Sequence, residues 1–401
     1  MKVLCVLNQL PLTGQGNHKE GLYPVAIKCH AKAGYDTDVL VIKGGSNEEL
    51  KDACRNLGAR YLSGNGRDAH STLGFIKYLG ESLNPVWLRL AYQNRRLLIK
   101  IAQDFKIHGY PDLIIALTSC EQSGILAKLI HNRFKIPFVV WEHRTHYARG
   151  MLRGVRKSVC KKVIQSADLL FTVSPQLRDN IERALEVDVD NTAVLPNPVE
   201  DIFFSKPDSL TWVDQFAQGR FIFAGWTNWR PIKRLDLLLK AFADVNYKEP
   251  QTCLIIAGPV KNSEQMISII EKEGLEHSVK LAGPLKRKDI HALAHQVDCC
   301  VVPSDHETFG LPIVEAMAAG KPSVATKCGG PESIVNSSSL GRLVNKGDYE
   351  VLAEAMLDIY NNKEHFVPEY IQQQCKKRYS EEAFSRQLVR AYSMLQSNVI
   401  L

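Results

Sequence analysis

Short apolar runs rich in β-branched residues alternate along this chain with longer segments of helical periodicity. That is the pattern of parallel strands buried on both faces by crossover helices. In the first half the runs fall at residues 3–7, 39–42, 113–117, 138–141 and 168–173, with helices expected over 18–33, after Glu121 and after Ser174-Pro175. Residues 71–105 read as helical, broken at Pro85, with Trp87, Leu88, Leu90, Leu97, Leu98 and Ile101 forming apolar faces suited to a core or an acceptor wall. In the second half the strand runs are 221–224, 254–257, 279–281, 298–302 and 341–344. Helices are expected from about Lys233, over 349–360 and over 381–396. The pattern predicts an α/β chain built on parallel sheets.

The stretch from Asp298 to Glu332 carries the densest information. Its strand is closed by Pro303, a polar loop follows, and Pro312 after Gly310 marks a helix start that Gly320 and Pro322 stop, giving a helix from 311 or 312 to 319. Glu315 is then expected in the first turn and Glu307 in the loop just ahead, so that both carboxylates surround one helix N-terminus. Free amides there favour an anion, and flanking carboxylates accept from sugar hydroxyls. For either glutamate alone, capping or plain solvation is the simpler account.

Taken whole, the stretch resembles the retaining glycosyltransferases of family four, whose signature is Glu, seven residues, Glu, a helix rich in small residues and a Gly-Gly loop. Here these are Glu307, Glu315, EAMAAGKP and Gly329-Gly330. The resemblance implies the GT-B fold of two facing Rossmann-like, doubly wound parallel-sheet domains. It divides the chain into an acceptor-binding domain (1–200), a sugar-nucleotide-binding domain (201–380) and a terminal helix (381–401) that crosses back to the first. It also implies that Glu307 holds the donor hexose, that Glu315 holds the ribose, and that Phe309, Gly310 and Leu311 meet the donor beside them. The loop Gly283, Pro284, Leu285 would meet the nucleobase through its backbone.

Other positions match less fully. Lys233 stands where the family has the lysine of its diphosphate clamp, and a cation at a helix start is unfavourable without an anion nearby. Trp226 stands where the clamp's arginine belongs, which leaves Arg230 as the substitute. The first strand leads into a loop with Gly14 and Gly16, a phosphate-cradle arrangement in which the family has Gly-Gly. In the crossover VLPNPVEDIF, Pro198 replaces a glycine. His143, at the carboxyl end of a strand, matches a family histidine that lines the donor sugar and acceptor hydroxyl, with His146 as the fallback.

Asp36 and Asp38 mimic a metal-binding pair, as do Asp188 and Asp190. The first pair opens a strand rather than following one, so both pairs are expected to be solvated and no metal or other cofactor is expected. The ten cysteines include no CxxC spacing, which excludes a zinc ribbon, and no run approaches the roughly 18 apolar residues of a membrane span. The start VLCVL is too short for a signal-peptide core and predicts a strand, hence a cytoplasmic location.

The formal charge of +7 is uneven: residues 1–200 hold 27 Lys and Arg against 19 Asp and Glu, and residues 201–401 hold 23 against 24. Much of the excess lies after His143, where Arg144, Arg149, Arg153, Arg156, Lys157, Lys161 and Lys162 meet no acidic residue before Ala167. The run reads either as a solvated helix face or as a grip for an acceptor phosphate or an anionic bilayer at the inner face of a membrane. No nucleic-acid recognition motif accompanies it.

The expected partners are therefore an NDP-sugar donor and a glycan or lipid-linked glycan acceptor, as in bacterial surface polysaccharide assembly. An inactive sugar-nucleotide-binding scaffold and a GT-B sugar-nucleotide epimerase are the alternatives.

Overall fold

The computed structural model describes residues 1–10, 22–43, 47–62, 94–119, 122–259 and 263–399. Gly14, Gly16 and most of the segment 71–105 lie outside them. The chain divides into two compact units, one ending at Pro196 and taking up the chain again from Phe384, the other spanning Asn197–Ala383.

The first unit is laid down as β1 (Lys2–Gln9), α1 (Leu22–Lys32), β2 (Asp36–Lys43), α2 (Asn47–Asn56), β3 (Arg60–Leu62) and α3 (Arg95–His108). It continues with β4 (Leu113–Ala116), α4 (Gln122–Phe134), β5 (Phe138–Glu142), α5 (Gly154–Ser166), β6 (Leu169–Thr172), α6 (Pro175–Leu185) and β7 (Thr192–Val194). The seven strands run parallel in the order β3-β2-β1-β4-β5-β6-β7, with Val3 opposite Thr37 on one side and Leu113 on the other. Val3, Leu4, Val6 and Leu7 are fully buried, as the unbroken apolar runs require of a sheet covered on both faces.

The second unit holds α7 (Thr211–Ala217), β8 (Phe221–Trp226), α8 (Leu235–Lys248), β9 (Thr252–Ala257), α9 (Ser263–Lys272), β10 (Val279–Gly283) and α10 (Arg287–Gln296). It then runs through β11 (Cys299–Val302), α11 (Leu311–Ala318), β12 (Ser323–Thr326), α12 (Pro331–Ile334), β13 (Gly341–Val344), α13 (Tyr349–Asn361) and α14 (Pro368–Tyr379). Its six strands are parallel in the order β10-β9-β8-β11-β12-β13. Strand order reverses between β8 and β11, the place where open α/β sheets bind ligands beyond their carboxyl ends.

Helix α15 (Glu381–Val399) starts in the second unit, where Glu381 and Asp201 exchange hydrogen bonds from backbone amide to carboxylate at 3.3 and 3.2 Å. From Phe384 onward it belongs to the first unit. There Phe384 packs on Trp141 at 5.2 Å, and the Tyr392 hydroxyl lies 2.9 Å from Nε2 of the buried His30.

Two expectations fail here. Asp38 is not solvated: it is fully buried on β2, and Arg60 of β3 forks onto it at 2.8 and 2.6 Å while Lys2 lies 3.3 Å away. Those partners are 22 and 36 residues distant, so strand-entry composition gave no sign of them. The three-residue strands β3 and β7 were also missed, because so short a run carries too little periodicity to read, and the helices α2, α7, α9, α10, α12 and α14 were not predicted either. Asp36, Asp188 and Asp190 are exposed as expected.

Candidate functional site

In the second unit, the loop after β11 and the loop after β8 meet at the sheet's reversal point. Glu307 is fixed by its backbone: its amide donates to the Cys328 carbonyl, and its own carbonyl accepts from Gly330 N at 2.8 Å. This close approach explains the Gly-Gly pair. A Cβ on Gly329 would stand 2.4 Å from the Glu307 carbonyl oxygen, and one on Gly330 would stand 2.1 Å from that of Phe309.

The Glu307 carboxylate pairs with the Lys233 ammonium and accepts from Ser304 Oγ at 3.1 Å, with Lys233 and Glu307 side chains 11% and 12% exposed. Lys233 does not start the α-helix as expected. It closes a 3-10 turn (Pro231–Lys233), and α8 begins two residues later. Pro231 sets that turn, and Arg234, in a left-handed conformation at φ 50°, separates it from the helix.

Helix α11 begins at Leu311 with Gly310 as its cap at φ 120°, a conformation natural to glycine. The amides of Phe309, Gly310 and Leu311 make no hydrogen bond among the described residues. Together they form a donor cluster at a helix N-terminus beside Lys233 and Glu307, which is anion-receptor chemistry.

Glu315, the fifth residue of α11, lies just past the first turn in which it was expected and is 3% exposed. Helical side chains lean toward the N-terminus, so it still reaches back along the helix. Trp226 Nε1 donates to its Oε2 and Arg287 Nη1 to its Oε1, each at 2.5 Å, and Arg287 Nε donates to Glu200 at 2.5 Å. Burial disfavours the Arg287 cation, but Glu315 and Glu200 outweigh it and push its pKa up. The tryptophan at the arginine position thus takes hold of the second glutamate. Neither it nor Arg287 was read as a partner of Glu315, since they stand 89 and 28 residues away.

Gly283, at φ 69°, ends β10 and accepts from Gly258 N at 2.7 Å; Pro284 is exposed and Leu285 half-buried. Arg230 is exposed, and its guanidinium has no hydrogen bond or ion pair among the described residues. It lines a cavity that includes neither Lys233 nor Glu307, so the structure does not place it in a clamp with Lys233.

In the first unit, β5 ends on Glu142, which is fully buried. It accepts from Ser119 N (2.9 Å), Ser119 Oγ (2.6 Å), Tyr147 OH (2.9 Å) and the amides of His143 (3.0 Å) and Arg144 (3.1 Å). Sequence reading passed over this residue. It fixes the turn that presents His143, whose ring lies edge-on to Trp141 at 4.4 Å and Tyr23 at 5.8 Å. Nδ1 of His146 is buried without a hydrogen-bond partner among the described residues. Of the basic run, Arg149 and Arg153 are exposed and Arg156 half-buried, whereas Lys157 and Lys161 bind the side chain and the carbonyl of Glu186 at 2.6 and 3.0 Å. Lys157 is therefore tied to α6's end rather than free on a patch.

Residues 213–378 match the family model described as glycosyl transferases group 1, and residues 27–198 match that of a glycosyl transferase 4-like domain. The chain is 25% identical over 244 residues to the uncharacterized glycosyltransferase MJ1178 of Methanocaldococcus jannaschii, covering 60% of this chain and 63% of that protein. It is 23% identical over 253 residues to D-inositol 3-phosphate glycosyltransferase of Corynebacterium diphtheriae, covering 58% and 59%. The chain thus matches less than two-thirds of either relative's length. Among solved structures, Anabaena Alr3699/HepE in complex with UDP-glucose is similar with a TM-score of 0.73, 21% identity and coverage of 98% and 100%. Sucrose-phosphate synthase of Thermosynechococcus elongatus follows at 0.73, 19%, 99% and 100%. At that identity the likeness is one of fold.

Proposed function

Since this chain belongs to the family-four glycosyltransferases and folds as two parallel-sheet domains of the GT-B kind, we propose that it moves a hexose from a nucleoside-diphosphate sugar to a glycan or lipid-linked glycan. One observation carries the reading: Lys233, Glu307 and the open amides of residues 309–311 surround a single helix end. The diphosphate takes the helix amides and draws Lys233 from Glu307. Glu307, so released, accepts from hydroxyls of the donor hexose. Glu315, held by Trp226 and Arg287, keeps acceptor capacity for the ribose hydroxyls. The backbone of Gly283, Pro284 and Leu285 meets the base.

In this reading Lys233 and the helix end stabilise the leaving diphosphate electrostatically, so the reaction needs no metal, and it proceeds with retention. The nucleotide is uridine diphosphate, a choice supported by the UDP-glucose bound to the Anabaena neighbour. A surface-polysaccharide acceptor on a lipid carrier fits the exposed Arg149 and Arg153 on the first unit, which would meet anionic headgroups. Among the described residues no helix is long and apolar enough to cross a membrane.

The test is incubation of the purified protein with UDP-, GDP- and ADP-sugars, with and without saccharide or lipid-linked acceptors, on vesicles with and without anionic lipid. Acceptor-dependent NDP release with the anomeric configuration kept is expected, and it should be faster on anionic vesicles. Donor isomerisation without transfer would instead indicate an epimerase. Binding without turnover would indicate a scaffold.

A further inference from the structure

The chain between β8 and α8 also walls a second cavity, of about 360 Å³, that opens toward the start of α9 and the Asp305 loop. None of Lys233, Glu307 and Glu315 lines it, so it is separate from the anion receptor. Among the described residues its charges cancel: Arg230 and Arg234 stand against Asp236 and Asp305. Arg234 forks onto both oxygens of Asp236 at 3.2 Å and reaches Asp305 at 3.3 Å, leaving the two carboxylates 35% and 34% exposed. Trp229 is 6% exposed, and its buried indole N–H has no hydrogen-bond partner among the described residues. Such a donor is costly to leave unmade and is recovered when a ligand accepts from it. Arg230 is likewise unengaged among the described residues, and Gln265 stands exposed at the rim. Between these polar groups the wall is apolar, from Ile232, Leu235 and Met266.

We infer that this cavity is a saccharide subsite that takes one or two neutral hexose rings. A net charge of zero disfavours a phosphate, a nucleotide or a metal ion. Carboxylates that can only accept stand beside guanidinium and indole groups that can only donate, and the hydroxyl is the common group that serves both. Several such pairs around an apolar wall match a ring with hydroxyls at its edge and C–H groups on its face. The volume lies in the range of small-molecule sites. The subsite binds sugar as such, so it stands or falls apart from the transfer reaction.

Saturation-transfer NMR on the full chain, without nucleotide, tests it with glucose, galactose, mannose, N-acetylglucosamine, maltose and lactose as probes. At least one saccharide is expected to receive saturation. Trp229→Phe, which keeps the ring and removes the orphan donor, should weaken its binding at least about fivefold. Gln265→Ala, at an exposed position that the fold tolerates, should weaken it as well and covers the case in which the tryptophan variant does not fold. Absence of transfer to every probe, or binding by Gln265→Ala and a folded Trp229→Phe equal to that of the parent, overturns the inference. Saccharide binding lost in these variants while no sugar nucleotide turns over would leave the subsite standing and remove the proposed reaction.

Discussion

Each sheet has a glutamate at or just past the end of a central strand, and the two glutamates keep opposite company. Glu142, at the end of β5, is fully buried and takes its donors from neutral amides and hydroxyls of its own surroundings. Glu307, five residues past β11, is 12% exposed and balanced by one lysine. A carboxylate satisfied by fixed dipoles is a permanent part of the fold, because nothing entering from solvent replaces five donors at once. One balanced by a flexible cation can be unpaired by any ligand that offers the lysine a better anion. The same residue type is thus scaffold in one unit and, under the proposed function, receptor in the other.

The sharpest break of that contrast is Glu142→Ala. Each buried donor left unpaired costs ~1–3 kcal/mol, so thermal or denaturant unfolding should show a loss of at least ~3 kcal/mol. Unchanged stability would mean that water or other groups replace the carboxylate, and the scaffold role would fail.

A second probe on the scaffold side is pH. Burial outweighs the Ala26 hydrogen bond and lowers the His30 pKa from 6.5 to about 4. As pH falls below 6.5 the unfolded chain takes up this proton first, so stability present above that value is lost through pH 4. The full effect is about 3 kcal/mol at 1.36 kcal/mol per pKa unit. Denaturant titrations between pH 4 and 7 should therefore show a steeper acid decline in the parent than in His30→Gln, and parallel curves would refute it.

On the receptor side the order of effects reverses. Glu307→Gln should leave the melting temperature nearly unchanged while cutting turnover about a hundredfold, the scale of a misplaced reacting sugar. Near-normal turnover would remove Glu307 from the site. Trp226→Phe should be milder, raising the donor KM about tenfold through the lost hydrogen bond (~1.4 kcal/mol) with little change in kcat. A fall in kcat alone would mean that the indole acts elsewhere than through Glu315.

What was legible in the sequence follows the range of the interactions. The β11 to α11 turn could be read because Gly310, Pro312 and Gly320 act on their own neighbours. The helix start at Leu311 was read correctly, but Glu315 falls one residue beyond the first turn in which it was expected; the backward lean of helical side chains preserved its reach. Family resemblance marked Trp226 only as a departure; its bond to Glu315 depends on β8 lying beside β11, which no local pattern reports. Asp38 was misread for the same reason, because Arg60 reaches it only through the pairing of β2 with β3. Local backbone chemistry was readable, and the pairing of charges across strands was not.

If the second unit's helix end, framed by Lys233, Glu307 and Glu315, receives a sugar nucleotide as proposed, titration calorimetry of UDP-glucose, GDP-mannose and ADP-glucose into the parent and into Glu315→Ala will show it. Binding of one nucleotide sugar at one site per chain is expected, weakened about five- to 150-fold in the variant, or ~1–3 kcal/mol. Binding of equal strength in both proteins, or of none of the three sugars by the parent, would contradict it.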